Sequence, residues 1–158
     1  MKLKKVTLYT YSLPLLKPLK MKGSQQDCRD GLIVELTDEN GAQGFGDAAP
    51  FPGLHTETLV DIISEFKTIH PYLNTLDYDD HTEIFSQFDQ LNHRSPSLQF
   101  AIDWAICDLV SKVRKINPAR LISSNSNDKI FVNALLAGSP SEMLEEAEKL
   151  KFSNYKTI

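Results

Sequence analysis

The chain is 158 residues long, with 41% hydrophobic and 24% charged residues and a formal net charge of -4. This length allows one domain with a hydrophobic core, or one domain and the beginning of a second, and the composition excludes the low hydrophobicity and high net charge of a disordered chain. A mildly acidic balance gives no general electrostatic attraction to nucleic acid or to an anionic membrane surface, and no apolar stretch reaches membrane-spanning length.

Residues 4–15 alternate, with Val6, Thr7, Tyr9 and Tyr11 prominent. The pattern predicts a strand ended by Pro14 and Pro18 and differs from the unbroken apolar centre of a signal peptide. Residues 17–30 are polar, carry Gly23-Ser24-Gln25-Gln26 and show neither period, so a mobile surface loop is expected. Residues 31–37 predict a second strand, Asp38-Glu39-Asn40-Gly41 a turn whose Asn-Gly supplies positive φ, and residues 42–49 a third strand. Together these make an antiparallel meander.

Pro50-Phe51-Pro52-Gly53-Leu54-His55 predicts a second loop. Thr58 then caps a helix with Leu59, Ile62, Ile63, Phe66 and Ile69 on one face, and Pro71 is expected to stop it. A second helix is predicted over residues 80–91, with Ile84, Phe85, Phe88 and Leu91 inward and Asp79 or Asp80 at the positive end of its dipole. Ser95 as N-cap and Pro96 at the first position open a third and longest helix, in which Leu98, Ala101, Ile102, Ala105, Ile106, Leu109 and Val113 recur at helical spacing.

Residues 116–129 contain Asn117-Pro118 and a serine-asparagine run, the composition of an exposed linker between a first unit, 1–115, and a second, 130–158. Residues 130–136 form an apolar run of buried-strand length, Ser139-Pro140-Ser141-Glu142 spells a capping box for a helix to about Leu150, and residues 155–158 open another strand. One strand-helix-strand unit cannot cover both faces of its own strands, so it predicts the start of a larger fold.

Gly44-Phe45-Gly46-Asp47-Ala48-Ala49 satisfies G-x-G-x-x-G/A, but the glycines lie in a hairpin strand and prolines follow where a helix should begin. Such glycines serve a bend or a close backbone approach better than a nucleotide. Asp77, Asp79, Asp80 and His81 read as helix-capping groups before they read as a metal site. His70 and His93 have the setting of solvated surface histidines, and Asp103 beside Trp104 that of an exposed or salt-bridged residue. Cys28 and Cys107 are distant and form no C-x-x-C pair, which fits a reducing compartment and makes the cytoplasm the expected location. No P-loop, G-x-S-x-G elbow or H-E-x-x-H is present.

Arg29-Asp30-Gly31-Leu32-Ile33-Val34, Gly44 to Gly53 with Thr56-Glu57-Thr58, and Pro96-Ser97-Leu98-Gln99-Phe100-Ala101-Ile102 occur in that order. They resemble the N-terminal capping domain of the o-succinylbenzoate synthases of the enolase superfamily, whose pattern is G-x-G-E-x-x-P-x-P-G-x-x-x-E-T, with Asp47 here in place of the usual Glu. Residues 133–138 resemble the first barrel strand of that family. The resemblance implies an α+β capping domain, a three-stranded antiparallel meander with a helical bundle, followed by the first βαβ elements of a (β/α) barrel.

The implied chemistry is dehydration for menaquinone synthesis: a lysine removes a proton α to a carboxylate, Mg²⁺ stabilises the enediolate, and hydroxide leaves. The catalytic lysines and the Mg²⁺ ligands of the family fall after Ile158, so none of these positions is in this chain, and Lys156 does not match the K-x-K pair. The share implied for these residues is substrate enclosure by two loops, through Gly23, Ser24 and Arg29 in one and Phe51, Pro52, Gly53, Leu54 and His55 in the other. Leu54 and His55 depart from the family's aromatic-serine pair. The implied partners are a small-molecule carboxylate substrate and a barrel domain, with homo-oligomerisation left open. Dipeptide epimerases and muconate cycloisomerases share the layout, and a stand-alone binding or assembly module is the competing reading of another class.

Overall fold

The computed structural model describes residues 2–21, 24–73, 95–127, 129–151, 153, 155 and 157. Strands β1 (Leu3–Met21), β2 (Ser24–Asp38) and β3 (Gln43–Ala48) form an antiparallel sheet in the order β1-β2-β3. Helices α1 (Leu59–Leu73) and α2 (Pro96–Arg114) follow, then the single turn α3 (Pro118–Ile122) and α4 (Pro140–Leu150).

The meander forms as expected, but its first hairpin is much longer than the sequence pattern suggests. The predicted loop at 17–30 lies largely within β1 and β2, which pair from Leu3↔Asp38 to Met21↔Ser24. Pro14 and Pro18 do not end β1. It is the edge strand, where a missing N–H on the open side costs nothing, and the ladder absorbs the prolines in a register shift between Pro14 and Leu19. Asp38 secures the β2–β3 turn by accepting from the Asn40 and Ala42 amides at 2.9 and 2.7 Å, and Gly41 has φ +85°.

The inner face of the sheet alternates as the period of two requires. Val6, Leu32, Val34, Leu36 and Ala48 are buried against Ile62, Phe66, Ile69 and Leu73 of α1 and Leu98, Ile102, Ile106 and Leu109 of α2. Each full burial of a Leu or Ile side chain is worth about 1.5–3 kcal/mol over leaving it in water, so this layer dominates the cohesion of the unit. The Gly44 and Gly46 pair belongs to it. A Cβ at either position would run into the backbone of α2, at Ala105 and Ala101 respectively, so the glycine motif is a seat for a helix on a strand.

The outer edge of β3 is closed by side chains of α2. The Phe45 amide donates to Asp108 Oδ2 (2.9 Å), Lys112 Nζ donates to the Gln43 carbonyl (2.9 Å) and to Asp108 (2.6 Å), and the Lys112 ammonium sits 5.0 Å from the Phe45 ring centre. On the solvent-side face of the sheet Glu35 is nonetheless buried, accepting from Tyr9, Thr37 and Gln43. The Tyr9 hydrogen bond, foremost, holds its carboxyl below the usual carboxylate range.

Three expectations, for Pro71, Ser95 and His70, need correction. Pro71 does not stop α1, which runs through it to Leu73: the proline forfeits the one bond its N–H would have given the carbonyl four residues earlier, and the helix continues. Ser95 stands at the N-cap of α2 but its side chain makes no capping hydrogen bond. Within residues 116–129 Asn117 caps the short α3 by accepting from the Ala119 amide at 2.8 Å. His70 is half-buried, its Nε2 3.3 Å from the Val6 carbonyl and its ring against Phe66. The helix predicted at 80–91, with Asp77, Asp79, Asp80, His81 and His93, lies outside the described residues.

Further along the chain the capping box at Ser139 and Glu142 forms and α4 ends at Leu150. The apolar run at 130–136 is neither buried nor paired as a strand: Ile130, Phe131 and Leu135 are 79%, 78% and 84% exposed. No strand among the described residues pairs with it, and a lone strand has no ladder. Residues 155 and 157 show no strand either, although the Ala134 amide donates to the Thr157 carbonyl at 3.1 Å, one bond between the two segments.

Candidate functional site

Because β2 is longer than β3, their pairing ends at Leu32↔Ala48 and the N-terminal half of β2 has an open edge on that side. The chain leaving β3 passes this edge as Ala49-Pro50-Phe51-Pro52-Gly53. Pro50 and Pro52 have no N–H to extend the ladder, so a gap opens. It is a cleft of about 580 Å³, lined from β2 by Gln25, Gln26, Asp27, Cys28, Arg29 and Asp30 and from the other wall by Pro50, Pro52, Gly53, His55, Glu57, Thr58 and Leu59.

Side chains replace the missing backbone bonds. Arg29 donates to the carbonyls of Pro50 (2.9 Å) and Ala49, and its guanidinium lies over the Phe51 ring, 4.8 Å from the centre. Arg suits this place because its planar fork reaches both carbonyls while its face stacks on the aromatic. The loop then closes on itself: the Phe51 carbonyl accepts from the Leu54 and His55 amides at 3.1 and 2.9 Å, with Gly53 at φ +89° supplying the left-handed step.

Glu57 anchors the loop from below. Its buried carboxylate accepts from the Ser97 amide (3.1 Å) and from the Ser97 hydroxyl, so it caps α2 across 40 residues of sequence where Ser95 does not. One residue on, Thr58 accepts from the Asp61 amide (3.2 Å) while Asp61 accepts from the Thr58 amide (2.9 Å) and hydroxyl, a reciprocal cap that starts α1 as expected. These hydrogen bonds hold the Asp61 carboxyl below the usual range.

Asp47 lies on the outer face of β3, where the Tyr11 hydroxyl donates to it at 2.7 Å. Tyr11 lies flat over Gly31, a position at which any Cβ would strike its ring. Burial first, and the Asp47 hydrogen bond second, push the Tyr11 hydroxyl up to about 12. Cys28 is exposed in the cleft wall, whereas Cys107 is buried in α2 and burial raises its thiol above the usual value.

Of the residues singled out from the sequence, Arg29, Pro52, Gly53 and His55 line the cleft together. Phe51 stands behind the wall under Arg29, Leu54 is 70% exposed at the loop tip, and Ser24 opens β2. Gly23 lies outside the described residues. The β2 residues from Gln25 to Cys28 line the wall as a strand and not as a loop, and individually they went unnoticed because a polar stretch carries no strand period. Glu57 was quoted only as part of a pattern; nothing local showed that it reaches Ser97. Among the described residues no group of three or more His, Cys, Asp or Glu side chains could hold a metal ion, so these residues do not fit a Mg²⁺ site. No helix among the described residues is long and apolar enough to cross a membrane.

Comparison with known proteins gives the same frame. The family described as MenC, N-terminal domain, matches residues 3–109. The chain belongs to this family. The o-succinylbenzoate synthase of Vibrio cholerae serotype O1 is 46% identical over 55 residues, 35% of this chain and 16% of that protein. The o-succinylbenzoate synthase of Listeria innocua is 26% identical over 158 residues, 98% of this chain and 42% of that protein. The L-Ala-D/L-Glu epimerase of Francisella tularensis subsp. novicida is 29% identical over 133 residues, 82% of this chain and 36% of that protein. The chain thus spans less than half the length of these relatives.

Among solved structures, an enolase-superfamily member from Listeria innocua superposes with a TM-score of 0.81 at 26% identity, over 99% of this chain and 43% of its own. A dipeptide epimerase from Methylococcus capsulatus, solved with Mg and the dipeptide L-Arg-D-Lys, has a TM-score of 0.85 at 21% identity, over 99% of this chain and 44% of its own. The MenC N-terminal domain of this chain, and the residues after it, therefore have the α+β capping fold and the barrel entry of enolase-superfamily enzymes.

Proposed function

We propose that this chain is the capping part of an o-succinylbenzoate synthase-like enzyme, and that the cleft between β2 and the proline-glycine loop encloses the distal part of a small carboxylate substrate. The observation that carries this is the cleft itself, a walled space of about 580 Å³ to which Arg29, Pro52, Gly53 and His55 all contribute. Its walls are two segments held by side-chain bonds, which lets them shape a pocket without being welded into one sheet. In this reading residues 1–115 cap, 116–129 link, and the segment from 130 enters a barrel whose later strands hold Mg²⁺ and the proton-transferring lysines. The exposed apolar side chains Ile130, Phe131 and Leu135 are the surface such a barrel would bury. The enzyme acts in the cytoplasm as a lyase of menaquinone synthesis.

A second reading, dipeptide epimerisation, rests on similarity to the Francisella epimerase at 29% identity over 133 residues, a long match of the same order as the 26% over 158 residues to the Listeria synthase. Both reactions begin by removing a proton α to a carboxylate and differ in what the cap must enclose. The test is an assay of the complete gene product with the succinyl-cyclohexadiene precursor and, separately, with L-Ala-L-Glu. Mg²⁺-dependent formation of o-succinylbenzoate supports the synthase, racemised dipeptide alone replaces it with the epimerase, and turnover of neither refutes both. Where turnover is found, Arg29→Ala should raise KM more than it lowers kcat, since the guanidinium shapes the cleft and does not touch the reacting carbon.

A further inference from the structure

His55 Nδ1 lies 3.3 Å from the Phe51 amide nitrogen and 3.4 Å from Glu57 Oε1. One nitrogen cannot satisfy both. The amide needs a lone pair at Nδ1, the carboxylate needs a proton there. With the ring neutral and its proton on Nε2, Phe51 N–H donates to Nδ1. With the ring charged, Nδ1–H turns to Glu57 and the Phe51 amide loses its acceptor.

The surroundings decide which partner yields. The Glu57 side chain is only 6% exposed and is pinned by the Ser97 amide and hydroxyl, so the carboxylate stays in place. The imidazole, 47% exposed, is open to protons from solvent. Phe51 is the side that loses a bond: its amide has the His55 ring as acceptor, while its carbonyl holds the tight turn at Gly53 and its ring supports the Arg29 guanidinium. Other charges around the cleft are Asp27, Arg29 and Asp30 on β2, while Asp61 of α1 is engaged with Thr58.

We infer that His55 is a proton-operated positioning residue of the proline-glycine loop, latching Phe51 when neutral and releasing it to pair with Glu57 when charged. Release loosens the corner where Phe51 supports Arg29 and so widens the cleft wall. That consequence for substrate rests on the reading of the cleft as a substrate cap; the latch does not.

The latch is tested by NMR on the whole ¹⁵N-labelled protein, following the His55 ring nitrogens and the Phe51 amide from about pH 8 to about pH 5, the range in which histidines ordinarily change charge. The Phe51 amide proton should shift upfield with the same midpoint as His55 Nδ1. Its protection from hydrogen exchange, corrected for intrinsic pH dependence, should fall about three- to tenfold on acidification, the loss of one hydrogen bond. His55→Gln, whose carbonyl can accept from Phe51 but does not titrate, should leave that amide independent of pH. A Phe51 amide that stays still through the His55 titration, or moves equally in His55→Gln, overturns the latch. If the latch operates but KM for the turned-over substrate is unchanged across the same range, the cap reading fails while the latch stands.

Discussion

Replacing Gly46 with alanine tests the seat of α2 on the sheet. The new Cβ would lie 2.6 Å from the Ala101 carbonyl carbon and 3.0 Å from its Cα, and closer still to the oxygen. Ordinary contacts between such atoms begin near roughly 3.5 Å, so with the oxygen closest of all α2 must lift by more than about an ångström along a face where Ala101, Ala105 and Leu109 are fully buried. The obstacle is backbone on both sides and cannot swing away. Overpacking of this kind costs about 3 kcal/mol, the upper end of the usual range, or roughly 6–12 °C in Tm for a chain of this size. Urea unfolding followed by far-UV circular dichroism measures it. Gly41→Ala is the control, since nothing lies within 4 Å of that site and only its φ of +85° resists, a strain of about 1–2 kcal/mol. If Gly46→Ala is no less stable than Gly41→Ala, the glycine pair is not a steric seat.

At high pH, Tyr11 should govern a stability slope. Its hydroxyl is pushed up to about 12, so the folded protein keeps a proton that the unfolded chain loses near the ordinary value of about 10. This contribution is complete below that value and drains away as pH rises through about 12. Tyr11→Phe should flatten the slope in denaturation series, and phenolate absorbance of the native protein should contain a late component at about 12 that the Tyr11→Phe variant loses. Asp108→Ala removes the acceptor of the Phe45 amide and the partner of Lys112. It should cost about 1 kcal/mol and, with the β3 edge opened, produce concentration-dependent self-association in sedimentation experiments; a strictly monomeric variant would show that the edge needs no guard.

Much of the fold was legible because its signals are local. The inward alternation of Leu32, Val34 and Leu36, the Asn-Gly turn, the helical spacing from Leu98 to Leu109, and the caps at Thr58 and Ser139 each depend on residues a few positions apart. So did the suspicion that Gly44 and Gly46 admit another backbone, although which backbone was not readable. No local signal joined Arg29 to the loop from Phe51 to His55; the family resemblance alone suggested both as substrate contacts, and that role is part of the proposed function.

What only the tertiary structure decided are relations between segments far apart in sequence. Edge position lets β1 continue past Pro14 and Pro18, and pairing turns the polar stretch before Gly31 into the wall of a cleft. Glu57 caps a helix 40 residues away, a bond for which no pattern around either residue gives notice. The apolar run at 130–136 shows the same principle from the other side. Its residue types are those of a buried strand, but burial and a hydrogen-bonded ladder are supplied by neighbours, and among the described residues Ile130, Phe131 and Leu135 stay exposed and no ladder forms.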